Sequence, residues 1–243
     1  MGLWSSVCSI CSSIASGISS AISSIGSAVS SFASSMAPVI GSIISAIHPM
    51  AATIGKFANT FLQGLGILNP DEKIDDLGER ALQASERGIR IEEFDRFDDY
   101  LDSLRNFELD PDKASRRSAA EKITSGLAVG TAAVENKFSA TPGSLNGLWL
   151  LPLTNPDYFT PERMQGWIAA GRLGTDVYAY LEKKLTGSEA SQFEKNLGFD
   201  MDGGPMNDKE LGELYRELDK SCTEWANLEQ QVSEKSAPAS AGA

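Results

Sequence analysis

Charged side chains are missing from the front of this chain. In 243 residues, no Asp, Glu, Lys or Arg occurs before Lys56. Histidine is nearly absent, with His48 alone, and there are three cysteines, Cys8, Cys11 and Cys222. Each scarcity excludes something. Nucleophilic catalysis by Ser or Cys normally needs a nearby base, and one histidine inside an apolar stretch supplies little. No P-loop, GxGxxG after a strand, GxSxG elbow or HExxH motif occurs. The chain therefore reads as non-enzymatic, with no cofactor implied. Three cysteines cannot close a disulfide framework. Cys8-Ser-Ile-Cys11 has CxxC spacing, but a structural zinc site takes four ligands and only Cys222 and His48 are left to complete it, so no metal site is expected.

Basic clusters are lacking as well. The net charge is −12, which argues against a nucleic-acid partner and against electrostatic capture by anionic lipid. No positive n-region precedes the apolar stretch, so no Sec signal peptide is evident. The charge that exists is unevenly placed: residues 1–70 carry +1, residues 71–112 carry −9, and residues 113–243 carry −4.

What fills the charge-free front is serine and aliphatic residues. Between Ser5 and Ser35, 15 of 31 residues are serine. Large apolar residues recur as Val7, Ile10, Ile14, Ile18, Ile22, Ile25, Val29, Phe32 and Met36, in steps of three and four. That is the period of a helical seam rather than a strand. The seam continues through Ile40, Ile43 and Ile47. Small residues (Ala21, Ala28, Ser35; Gly17, Ser24) recur at heptad spacing beside it, which permits close helix approach. A serine hydroxyl can return to the i−4 carbonyl, lowering its cost in lipid. The spacing predicts one long helix from Ser5 to Ala37, then a short helix over 39–48. A third, over about 50–64, ends at Gly64-x-Gly66. Such a front needs either a bilayer or other helices against its seam. His48 falls at the turn between two of these helices, where a pH-switch role competes with that of a plain pre-proline residue.

This pattern is similar to designed Leu/Ser channel-forming peptides, in which a serine face lines water and an aliphatic face meets lipid. It is also similar in kind to the Gly/Ser/Ala-rich hydrophobic N-termini of phage DNA-ejection proteins and of viral penetration peptides. Both resemblances rest on composition and period over about 60 residues and identify no family. The start Met1-Gly2-Leu3-Trp4-Ser5-Ser6 matches the M-G-x-x-x-[ST] myristoylation pattern, making Gly2, with Cys8 and Cys11 for palmitate, candidate lipidation sites.

From Asn69 onward the composition changes. Residues 71–87 and 91–106 read as acidic amphipathic helices, and a third helix runs from about Asp110 to Phe138. The carboxylates Asp95, Asp98, Asp99 and Asp102 fall where such a helix meets water. Residues 140–160 carry a dense apolar cluster around Trp149 that reads as an irregular plug over the core. Thr160-Pro161-Glu162 opens the next helix as N-cap and N1 proline. Residues 200–208 resemble a calcium loop only superficially, since Pro205 and Leu211 occupy its Gly and Glu places. The last helix, about 207–233, shows Leu211, Leu214, Leu218, Cys222, Trp225, Leu228 and Val232 on one stripe. The tail 234–243 reads as disordered.

The expectation is an all-α protein: a long hydrophobic Ser/Ala/Gly-rich helical segment (1–68), an acidic helical region (69–139), a C-terminal helical domain (140–233) and the tail. Its expected action is at a membrane, by an exported or virion-associated protein. Residues 3–68 would insert as an oligomeric pore or penetration element, contacting a bilayer or further copies. The C-terminal helix would dock on a carrier or capsid. The competing expectation is a structural protein whose front forms a coiled-coil or bundle arm in a larger particle.

Overall fold

The structure, a computed structural model, describes residues 12–174, 176–200 and 203–236. Among them are thirteen α-helices and two 3-10 turns, and no strand. The all-α expectation holds. Phe199 and Pro205 form one isolated bridge.

The front does not form one rod. Helix α1 (Ser12–Ser23) ends short of Gly26, a 3-10 turn covers Ser27–Val29, α2 spans Ser30–Ser35, and α3 spans Ala37–Ala46. The break at Gly26 has a tertiary cause. A Cβ there would lie 2.4 Å from Glu92 Oε2 and 3.2 Å from Ile91 Cβ, and its φ of +153° disfavours any side chain. A second 3-10 turn, Ile91–Glu93, docks at this point. Ile91 N–H donates to Ile25 O at 3.2 Å, and Glu92 Oε2 accepts from Ser27 N–H at 3.1 Å. Helix period alone cannot register such a contact from 65 residues away.

Helix α4 (Pro49–Gly64) follows, with His48 as its N-cap residue. Then come α5 (Ile74–Glu86), α6 (Phe97–Arg105), α7 (Pro111–Arg116) and α8 (Ala119–Lys137). The helix expected over 110–138 is thus two. Ser118 adopts an extended conformation and closes a capping box with Glu121, satisfying the exposed N–H groups of a new helix start. The remainder is α9 (Leu150–Thr154), α10 (Pro161–Ala169), α11 (Val177–Leu181), α12 (Gly187–Leu197) and α13 (Asp208–Ser236).

Helices α5 and α8 cross at very close range. A Cβ on Gly78 would stand 1.9 Å from Lys122 O, and one on Gly126 would stand 2.0 Å from Ile74 O. Backbone therefore lies on backbone, and only glycine fits at either place. Helices α1 and α3 pack on α8 of this crossed pair, and α4 packs on both of its helices. The 140–160 segment plugs the core as expected, with Leu148, Trp149, Leu150 and Leu151 fully buried. Trp149 Nε1–H donates to Thr131 Oγ1 at 2.8 Å, which lets an indole sit in an apolar interior. One continuous core runs from Ile18 to Val232 and draws on all three helical regions read from the sequence.

Candidate membrane-active element and its clasp

The expected seam is a packing face inside the chain. Ile18, Ile22, Ile25, Val29, Phe32, Met36, Ile40, Ile43 and Ile47 are all buried in the common core. Gly2, Val7, Cys8, Ile10 and Cys11, and the side chain of Ile14, lie outside the described residues. In this state the seam needs neither lipid nor a second copy, because α8, α3 and α13 occupy it. Of the two coverings expected, a bilayer or other helices, the folded chain uses the second, and the helices are its own. Periodicity reports that a face is buried, and it cannot say by what.

Helix α3 is the centre of this arrangement. Seven of its ten residues, Ala37, Val39, Ile40, Gly41, Ser42, Ile43 and Ile44, are buried. Gly41 lets α1 approach: a Cβ there would sit 2.8 Å from Ile18 Cδ1. A helix apolar on every side must be enclosed on every side. Among the described residues no single helix is long and apolar enough to cross a membrane; one bent pair, Ser27–Ser35 with Ala37–Ala46, meeting at 56°, has the length and composition of a span, as buried core helices also do.

From Ser20 to Ser35 the serines of the front are exposed, and many satisfy themselves. Ser23 Oγ donates to Ser19 O (2.9 Å), Ser30 Oγ to Ser27 O (2.7 Å) and Ser35 Oγ to Ser31 O (2.7 Å). The expected return of hydroxyls to the preceding turn is what the structure has. Others tie the front to the body: Ser24 Oγ lies 3.0 Å from Ser85 Oγ, and Asn146 Nδ2 donates to Ser31 Oγ at 2.8 Å.

Helix α13 lies across α3 as a clasp. Its stripe, which in the sequence suits either closing a bundle or docking on a partner, closes the bundle in this fold: Leu214, Leu218, Cys222, Trp225, Leu228 and Val232 are buried. Lys235 Nζ donates to Ala46 O at 2.8 Å, placing a cation on the C-terminal carbonyls of α3 where the helix dipole favours it. Helix α13 also packs on α9 and α11. There Glu182, just past the end of α11, accepts from Trp225 Nε1–H at 3.0 Å and pairs with Lys184 Nζ at 2.8 Å. Burial pushes the Glu182 carboxyl up, but hydrogen bonds from Lys184, Trp225 and Glu229 outweigh it and hold the group below its ordinary value. Burial raises the Cys222 thiol, so this cysteine is a packing residue rather than a reactive one.

Outside this core the polar groups are structural. Asp95, Asp98, Asp99 and Asp102 are exposed, with Asp98 on Arg96 and Asp102 on Arg105. Buried Glu135 accepts from the N–H groups of Gly143 (3.0 Å) and Leu145 (2.8 Å), pinning the plug. Among the described residues no three His, Cys, Asp or Glu side chains gather as a metal site. His48 is exposed at the rim of an open groove of about 590 Å³, beside Ile18, Ile44 and Ala51. Tyr215 is the single exposed large apolar side chain among the described residues.

Compared with known family models, curated proteins and solved structures, the chain shows no match.

Proposed function

We propose that this is a membrane-active protein held in a closed form, its lipid-seeking element sheathed by its own amphipathic helices. The element is the charge-free front, with α2 and α3 at its heart. It acts after export or as part of a virion, and it inserts as an oligomer with serines turned to water and the isoleucine seam turned to lipid. The observation that carries this reading is the placement of a stretch without one Asp, Glu, Lys or Arg up to Gly55 at the centre of a markedly acidic protein. A core helix needs apolar residues on its buried faces only. Yet exposed positions of α1, the 3-10 turn and α2 (Ser20, Ser23, Ser27, Ser30, Ser31, Ser34) are also uncharged. A helix that serves only in water gains by charging those positions; one that must also enter hydrocarbon loses several kcal/mol by doing so.

Among the described residues the seam side chains are buried and Tyr215 is the one exposed large apolar side chain, so insertion begins with the clasp and outer helices moving aside. Lipid then covers the faces that α8 and α13 cover in water. The test is dye release from neutral liposomes by the full chain, with protease protection of residues 27–46 read in the same sample. Release accompanied by protection is the expected result. Intact vesicles, with 27–46 cleaved or the protein recovered free, overturn the reading.

A further inference from the structure

The open groove beside His48, about 590 Å³, is where four helices meet. Its floor is apolar: Ile18 of α1, Ile44 of α3 and Ala120 of α8 line it and are each nearly fully buried. Its walls are small, with Gly17, Ala51 of α4 and Ala119. Small walls over an aliphatic floor leave a recess that larger apolar side chains fill favourably.

What can reach this recess follows from where the described chain begins. Residues 1–11 precede α1. Gly17 and Ile18 stand only five and six residues past Ser12, the first residue of that helix, which is about 7–9 Å of helix. Eleven residues span at most about 36–40 Å when extended, so the groove is well within their reach. Their composition suits it, since Leu3, Trp4, Val7 and Ile10 are apolar and none of the eleven is charged. The steps from Val7 to Ile10, Ile14 and Ile18 are three, four and four. At helical spacing, Val7 and Ile10 therefore share the seam whose member Ile18 forms the groove floor, and Cys11, four residues past Val7, shares it too. The opposite end of the chain fits less well. Lys235 bonds to Ala46 O, so residues 237–243 also start near the groove. Yet they comprise only Ala, Pro, Ser and Gly, with no large apolar side chain to bury.

We propose that this groove is the docking site of residues 3–11 of the same chain, with Val7, Ile10 and Cys11 turned to its floor. Docking keeps the leading apolar residues of the front out of water, and their release precedes insertion. That purpose rests on the membrane-active reading; the docking itself does not.

The experiment is thiol cross-linking in the full chain, dilute and without lipid. Cys222 is buried, and Cys8→Ser leaves Cys11 as the reporter in the segment. Ala51→Cys then puts a thiol in the groove, and Ser45→Cys, also lining it, serves if the first fails to fold. The control is Lys209→Cys, exposed in the first turn of α13, at the opposite end of that helix from Lys235. Under mild oxidation the groove thiol should form an intramolecular disulfide with Cys11 at least tenfold faster than the control does, each rate taken relative to its value in urea. Adding Val7→Ser with Ile10→Ser should bring that rate down to the control's. Equal rates from groove and control, or a rate that ignores the two serines, overturn the docking. A disulfide-linked dimer as the main product assigns the groove to a second copy and overturns it as well. Vesicle leakage by a protein with equal rates refutes the docking alone. Fast cross-linking in a protein that never permeates vesicles supports the docking and refutes the membrane reading.

Discussion

Lysine at residue 34 separates folding from insertion. Ser34 is exposed on α2, and its hydroxyl makes one local bond to Ser31 O at 3.1 Å. In water Ser34→Lys removes that bond and puts an ammonium group into solvent. A surface change of this kind moves stability by no more than about 0.5 kcal/mol. In a bilayer the same residue is near the middle of the bent pair 27–46, about 30 Å of helix if straightened. A Lys near the bilayer centre costs about 2.5–3.5 kcal/mol. At about 1.4 kcal/mol per tenfold, the inserted population falls by roughly two orders of magnitude. The assay pairs thermal unfolding with liposome dye release. Ser115→Lys, on exposed α7, is the control of equal charge. Expected are three superimposable melting curves, with leakage lost in Ser34→Lys alone. Equal leakage from Ser34→Lys and Ser115→Lys would refute the reasoning, because residue 34 would then never meet hydrocarbon.

Other expectations concern the fold. Gly78→Ala and Gly126→Ala each force the α5–α8 backbones apart and should cost 3 kcal/mol or more at the upper end of overpacking effects, about 1–3 kcal/mol, measured by urea unfolding. Gly212→Ala, in the second turn of α13 with nothing within 4 Å of its Cβ, should stabilise by about 0.5–1 kcal/mol. Ile22→Ala removes a fully buried seam side chain and should cost about 2–5 kcal/mol; a change below about 1 kcal/mol would mean the front does not pack as described. Glu86 is held below its ordinary pKa, first by its bond to Lys113 and further by Arg117. A depressed carboxylate stabilises the fold above its unfolded value near 4.5, and that contribution is lost as pH falls through the folded value. The pair is half exposed, so Glu86→Gln should flatten the acid limb of stability only slightly, by less than about 1 kcal/mol, and added salt should mask the difference.

Much of the architecture is legible in the chain itself. The stripe Ile18–Ile47, the N-cap at Thr160 followed by Pro161, the plug around Trp149 and the apolar face of the last helix were all readable from period, capping chemistry and hydropathy. These are local properties, and the structure contains each. Tertiary contact decided the rest. The front bends at Gly26 because Glu92 and Ile91 arrive there, and Ser118 interrupts an otherwise continuous helical pattern. Glu182 and Trp225, 43 residues apart in the chain, had no signal linking them. They meet only where α11 and α13 touch. The sequence by itself determined that the seam must be covered, since burying isoleucine is favourable whatever buries it. Which partner covers it was settled only by folding, because the hydrophobic effect has no direction and accepts lipid, another copy or the chain's own helices alike.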